Sequence, residues 1–146
     1  MNFHRPLTLI DGVVKELPAG GLLMGAPFVI WAEENAALGN GTYEWAFGNG
    51  ANTNANGGIV FPFAVELFAL GLNVNNAAAV ADVCVVKNAT IMTAYNVTLA
   101  AERRNWADHS ASPLAFAAGD WMTFRTVSSS STSGPATAHA WMRPTG

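Results

Sequence analysis

The chain has 146 residues, of which 51% are hydrophobic and 12% charged, with a formal net charge of −3. That length fits one domain with a sizeable core, and a charge content about half the usual ~25% leaves a surface neutral enough to associate with other chains. The seven Lys and Arg are scattered, Arg103 and Arg104 being adjacent, which excludes the basic footprint of a nucleic-acid binder or of a protein held on anionic lipid.

In chain order, residues 1–27 read as an extended N-terminal arm. "RPLTLIDGVVKELPAGGLLMGAP" breaks its apolar pieces with Pro6, Pro18, Pro27 and several glycines, too often for a stable helix. Leu7-Thr8-Leu9 alternates as a strand does, and Asp11-Gly12 predicts a turn into Val13 and Val14. An arm this apolar does not stay solvated. It packs on its own domain or on a partner through Leu7, Leu9, Val13, Val14, Leu17, Leu22, Leu23 and Met24.

Residues 28–146 form the second unit. "FVIWAE" (28–33) is short, β-branched and aromatic, and "TYEWAF" (42–47) alternates with Tyr43, Trp45 and Phe47 on one face. An uncharged loop rich in Asn and Gly follows over 48–58. "AVELFALGLNV" (64–74) sets Val65, Leu67 and Ala69 against Glu66, Phe68 and Leu70, with Gly71 marking a bend or bulge. "VADVCVVK" (80–87) and "TIMTAYNVTLA" (90–100) flank a turn at Lys87-Asn88-Ala89. "DWMTFRTV" (120–127) and "ATAHAWM" (136–142) complete the strands, with a serine-rich loop between them. Such spacing predicts an all-β fold, an antiparallel β-sandwich of jelly-roll type. The alanine-rich pieces 76–83 and 99–109 are the places where a turn or two of helix is expected.

The chemistry-bearing residues do not converge. His4, His109 and His139 are far apart in sequence, and Asp108 beside His109 is the best acid–base pair. Glu33 and Glu34, as strand neighbours, face opposite ways, and Glu44 with Glu66 is the remaining carboxylate pair a glycosidase would need. Metal-ligand spacing, a nucleophile elbow and a phosphate loop are all missing. The expectation is no enzyme, no cofactor and no metal. Cys84, the single cysteine, reads as a small buried hydrophobe. No apolar run reaches the ~18 residues of a membrane-spanning helix, and "MNFHRPLTLIDG" makes a poor signal peptide because Pro6 breaks its short apolar stretch. The sequons at Asn40, Asn88 and Asn96 then reflect Asn and Thr abundance, not glycosylation. Of the five tryptophans, Trp31, Trp45 and Trp121 are expected in the core, and Trp106, in a loop or short helix, is expected to be partly exposed.

"LTLIDGVVKELPAGGLLMG" resembles a segment near the N-termini of tailed-phage structural proteins. "YEWAFGNGA", the later "GI" and "AGDWMTFRTV" are similar to small β-sandwich modules of phage particles. The resemblance covers about a third of the chain. It implies a non-enzymatic virion component made in the host cytoplasm: a capsid decoration (cement) protein, expected as a homotrimer on the exterior of the shell. Its arm would bind the major capsid protein and neighbouring copies of itself. The alternative it implies is a tail, fibre or collar module that touches a host glycan or protein receptor. In either setting Asn49, Asn52, Asn54 and Asn56 of the 48–58 loop, with Trp106, are the candidate contact residues, since amides bond a partner's backbone without desolvating a full charge.

Overall fold

The structure, a computed structural model, describes residues 7–10, 13–16, 26–34, 44–45, 58–75, 79–129 and 135–145; for residues 7–10, 13–16 and Glu44 it describes the backbone alone. β1 (Leu7–Ile10) and β2 (Val13–Glu16) pair antiparallel, with Ile10 opposite Val13 across the Asp-Gly pair. They form a two-stranded sheet of their own, so the expected arm contains a hairpin. Leu17, Leu22, Leu23 and Met24 lie outside the described residues.

Ten further strands follow among the described residues: β3 (Phe28–Glu34), β4 (Glu44–Trp45), β5 (Ile59–Val60), β6 (Val65–Val74), β7 (Val80–Lys87), β8 (Thr90–Ala100), β9 (Arg104–Asp108), β10 (Leu114–Phe116), β11 (Trp121–Ser129) and β12 (Ala136–Pro144). They make two antiparallel five-stranded sheets. One has the order β10-β6-β12-β3, with β9 also on β6; the other has β4-β11-β7-β8, with β5 also on β11. The two pack face to face as the predicted sandwich. β5 and β10 are too short to leave a period in the sequence.

The core lies between the sheets. Val65, Leu67, Leu70, Leu72 and Phe116 of the first sheet meet Trp45, Val83, Val85, Leu99, Met122 and Phe124 of the second, all essentially without solvent contact. On β12 the inward positions are Ala136, Ala138, Ala140 and Met142. Trp45 is anchored there: its indole N–H donates to Thr126 Oγ1 at 2.9 Å, its ring stands edge-on to Phe124, and its carbonyl accepts from the Thr123 hydroxyl. The placement of Trp45 in the core agrees with its alternation; Trp121 is half-buried.

Two sequence expectations are corrected. Trp141 of β12 faces Ala69, whereas Met142 faces Leu67, so Phe68 is the extra residue of a bulge. The bulge thus sits before Gly71, not at it. It also switches the inward face of β6 from Val65 and Leu67 to Leu70, Leu72 and Val74, and puts Ala69, Gly71 and Asn73 on the outer face. The second correction is at 99–109, which holds no helix. β8 runs to Ala100, the chain turns at Ala101 (φ 60°), and β9 begins at Arg104. Pairing with β6 outweighs the alanine propensity of so short a segment. The same holds at 80–83, which belongs to β7. The hairpin between β7 and β8 is as expected: Asn88 (φ 47°) and Ala89 (φ 64°) both adopt the positive φ of a two-residue turn.

Candidate functional site

The outer face of the β9-β6-β12-β3 sheet is where large aromatic side chains meet solvent. The alternation of β12 fixes it. With three alanines inward, Thr137, His139 and Trp141 must point outward. Cross-strand register then assembles a row. Trp106 of β9 lies opposite Gly71 of β6, Gly71 opposite His139 of β12, and His139 opposite Trp31 of β3. The next row is Asp108, Ala69, Trp141 and Val29; the row on the other side is Arg104, Asn73, Thr137 and Glu33.

Trp106 is 64% exposed and Trp31 55%. Three interstrand spacings separate them, about 14 Å. Between them Gly71 and Ala69 keep the floor low, and Gly71 is itself covered by the indole of Trp141, two of whose carbons would lie 2.9 Å from a Cβ there. His139 and Trp141 lie with ring centroids 5.9 Å apart. Burial of His139 pushes its pKa down, so at pH 7 the imidazole is neutral, with one nitrogen donating and one accepting.

The surface between these rings is split into two depressions. One, of about 370 Å³, runs over Gly71 between Trp106 and Trp141, with Asn73, Arg104, Asn105 and His139 along its rim. The other is apolar, walled by Phe68, Trp106 and Trp141 over Ala69. The bulge supplies Phe68, whose ring also carries the Arg143 guanidinium at 5.6 Å while that arginine pairs with Glu66. His109 N–H donates to the Phe68 carbonyl at 2.8 Å, tying the end of β9 to the bulge. The start of β9 is tied to the other sheet, because Asn105 donates its amide to the Thr98 carbonyl of β8 at 2.7 Å. Trp106 is thus braced at both ends of its strand.

Asp108 and His109, the best acid–base candidates in the sequence, have different partners. Asp108 accepts from Ser110 N–H at 2.8 Å, and hydrogen bonds from Ser110 hold its carboxyl below the usual range. His109 instead lies against Tyr95, ring centroids 5.2 Å apart. Glu44 and Glu66 are on different sheets, Glu34 is buried and Glu33 half-buried as their alternation predicts. Among the described residues no group of His, Cys, Asp and Glu side chains is arranged to hold a metal ion.

Of the residues singled out from sequence, Trp106 stands in the platform, on a strand where a loop or short helix was expected. Asn49, Asn52, Asn54 and Asn56 lie outside the described residues. Leu7, Leu9, Val13 and Val14 are on the β1–β2 hairpin. The sequence reading missed Trp31, which it placed in the core, and also Gly71, His139, Trp141 and Arg104. One signal was available: in "ATAHAWM" every second residue is a small alanine, so the bulky set is the outward one.

No family model and no curated protein matches the chain. Among solved structures it is similar to the native structure of a family 35 carbohydrate binding module from Clostridium thermocellum, with a TM-score of 0.41 and 14% identity over 85% of this chain and 98% of that one.

Proposed function

We propose that the chain is a non-enzymatic binding module that holds a saccharide on the outer face of its β9-β6-β12-β3 sheet. We propose further that it serves a phage particle as an attachment part of the tail, fibre or collar. The observation that carries the binding reading is the cross-strand row Trp106, Gly71, His139 and Trp31, with Trp141 beside it. A sugar ring has an apolar C–H face and a polar rim. Exposed indoles suit the first, and the Asn73, Asn105, Arg104 and His139 groups around the mixed depression suit the second. The separation of Trp106 from Trp31 suits an oligosaccharide lying across the strands more than a single ring. Exposed aromatic area of this kind, kept wet at a cost, is a mark of a binding surface.

The reading is tested by titrating the protein against an oligosaccharide library that includes the surface glycans of candidate hosts. Trp106→Ala and Trp31→Ala are expected to lose at least about tenfold in affinity, as hot-spot aromatics do, with unchanged melting. Thr93→Ala, on the other sheet, serves as control. Full binding by both tryptophan variants would defeat the reading.

A second reading is capsid decoration, in which copies of the chain, as a homotrimer, bind the major capsid protein. It is favoured by the β1–β2 hairpin, which among the described residues pairs with neither sandwich sheet and whose sequence is rich in apolar residues such as Leu7, Leu9, Val13 and Val14. Deleting residues 2–25 should then abolish binding to capsids while the sandwich still folds. Particle imaging separates the two roles: shell-wide density fits decoration, tail density fits attachment.

A further inference from the structure

Resting on the saccharide reading, we propose that the platform selects carboxylate-bearing oligosaccharides and that Arg104 is the residue that reads the carboxylate.

β9 presents three side chains on its outer face in turn: Arg104, Trp106 and Asp108, opposite Asn73, Gly71 and Ala69 of β6. The exposed indole is therefore bracketed along its own strand by a cation on one side and an anion on the other. The two charges differ in availability. Asp108 is already engaged by Ser110. Arg104 is exposed, lines the mixed depression next to Trp106, and makes no ion pair or side-chain hydrogen bond among the described residues. Of the other cations of the described sandwich, Lys87 pairs with Asp120 at 3.0 Å, Arg143 pairs with Glu66, and Arg125 has an interaction of its own, while Arg103 lies in the turn before β9 and lines no part of the depression beside Trp106.

The local charge has the sign an acidic ligand requires. Arg103, Arg104 and Glu102 lie together beside Asn73 and Val74, a net positive corner on a chain whose total is −3. A guanidinium next to an aromatic platform binds a carboxylate through two parallel N–H···O bonds, which fixes the ring as well as attracting it. Asp108 supplies the repulsive half of the discrimination. A stacked acidic ring turned the wrong way would set carboxylate against carboxylate, so one orientation is favoured, with hydroxyls toward Asp108 and the acid toward Arg104. The apolar depression over Ala69, on the Asp108 side of Trp106, is left for an uncharged part of the chain of sugars.

The test uses the full chain and a panel of uronic-acid and sialic-acid oligosaccharides, each paired with its carboxyl-reduced counterpart, followed by calorimetry. At least one acidic member should bind about tenfold or more tighter than its reduced partner, in line with a charge-assisted bidentate contact, and added salt should narrow that ratio. Arg104→Gln should bring the acidic member down to the level of the reduced one and leave the reduced one unchanged. Arg104→Lys should recover part of the ratio. Trp106→Ala should weaken both. Equal binding of acidic and reduced members, or a ratio untouched by Arg104→Gln, overturns the role of Arg104 while a loss in Trp106→Ala keeps the platform. Failure of every saccharide to bind the parent protein overturns both.

Discussion

The indole of Trp141 lies so close over Gly71 that a Cβ at that position would meet its six-membered ring at 2.9 Å. Gly71 carries no left-handed φ, so space and not backbone conformation demands glycine there. Gly71→Ala should push Trp141 off the floor of the platform. The expected cost is about 1–3 kcal/mol, the usual range for a forced misfit, with a changed near-ultraviolet circular dichroism signal from the displaced indole. Saccharide affinity should fall with it, because His139 and Trp106 share that floor. An unchanged near-ultraviolet spectrum would show that the ring does not rest where the geometry puts it.

Trp45 and Thr126 make a single buried hydrogen bond between side chains on neighbouring parts of the second sheet. Thr126→Val keeps the shape and removes the acceptor, leaving the indole N–H without a partner in an apolar core. Chemical denaturation should register a loss of about 1–3 kcal/mol. Thr126→Ser should recover most of it, since it restores the hydroxyl. Equal stability of the Val and Ser variants would assign the effect to packing alone.

Asp120 gathers the end of the β7–β8 turn and the loop before β11. One carboxylate oxygen accepts from the Asn88 amide at 2.7 Å; the other accepts from Ala117 N–H at 2.8 Å and from Lys87 Nζ at 3.0 Å. The Asn88 bond first, then Lys87 and Ala117, hold its pKa down to about 2 against an ordinary 3.8. A carboxyl depressed in the folded state stabilises it above the unfolded pKa, and that stabilisation is lost as pH falls through the folded one. Melting temperature should therefore drop between about pH 4 and pH 2, and Asp120→Asn should flatten the curve across that window. A mutant curve parallel to that of the parent would place the acid sensitivity elsewhere.

Ala89 adopts φ 64° in the same hairpin turn, a conformation that costs an L-residue roughly 1–2 kcal/mol. Glycine adopts it without that penalty, at some cost in the entropy of the unfolded chain. Ala89→Gly should raise stability by about 0.5–1 kcal/mol in denaturant titration. A loss would mean that the alanine methyl is favourably packed.

Cys84 is buried on β7, and desolvation pushes its thiol up to about 11. Reaction with a thiol reagent at pH 8 should be slow in the native protein and immediate in denaturant, because the thiolate is the reacting form. Fast native labelling would contradict the burial.

Much of the scaffold was legible in the alternation of single segments. "DWMTFRTV" declares Met122 and Phe124 inward, and "KNAT" declares its turn. The site was less legible because it depends on register between strands, which no one strand encodes. "FVIWAEE" shows the difficulty. Its two faces, Phe28-Ile30-Ala32 and Val29-Trp31, are both apolar, so nothing local says that Trp31 is the one left in solvent. Trp106 was hidden differently: its alanine- and arginine-rich surroundings have helical propensity, and only pairing with β6 makes the segment a strand. Phe68 was hidden by a bulge that is visible only in the register of β6 against β12.

The strict alternation of β12 makes the protein unforgiving of one kind of genetic change. Losing a single codon within 137–139 would turn the distal part of that strand inside out, driving a histidine or a tryptophan into the interior and handing alanine to the solvent. Losing two codons together would restore the parity. Variation tolerated by this molecule should therefore arrive along β12 in even steps.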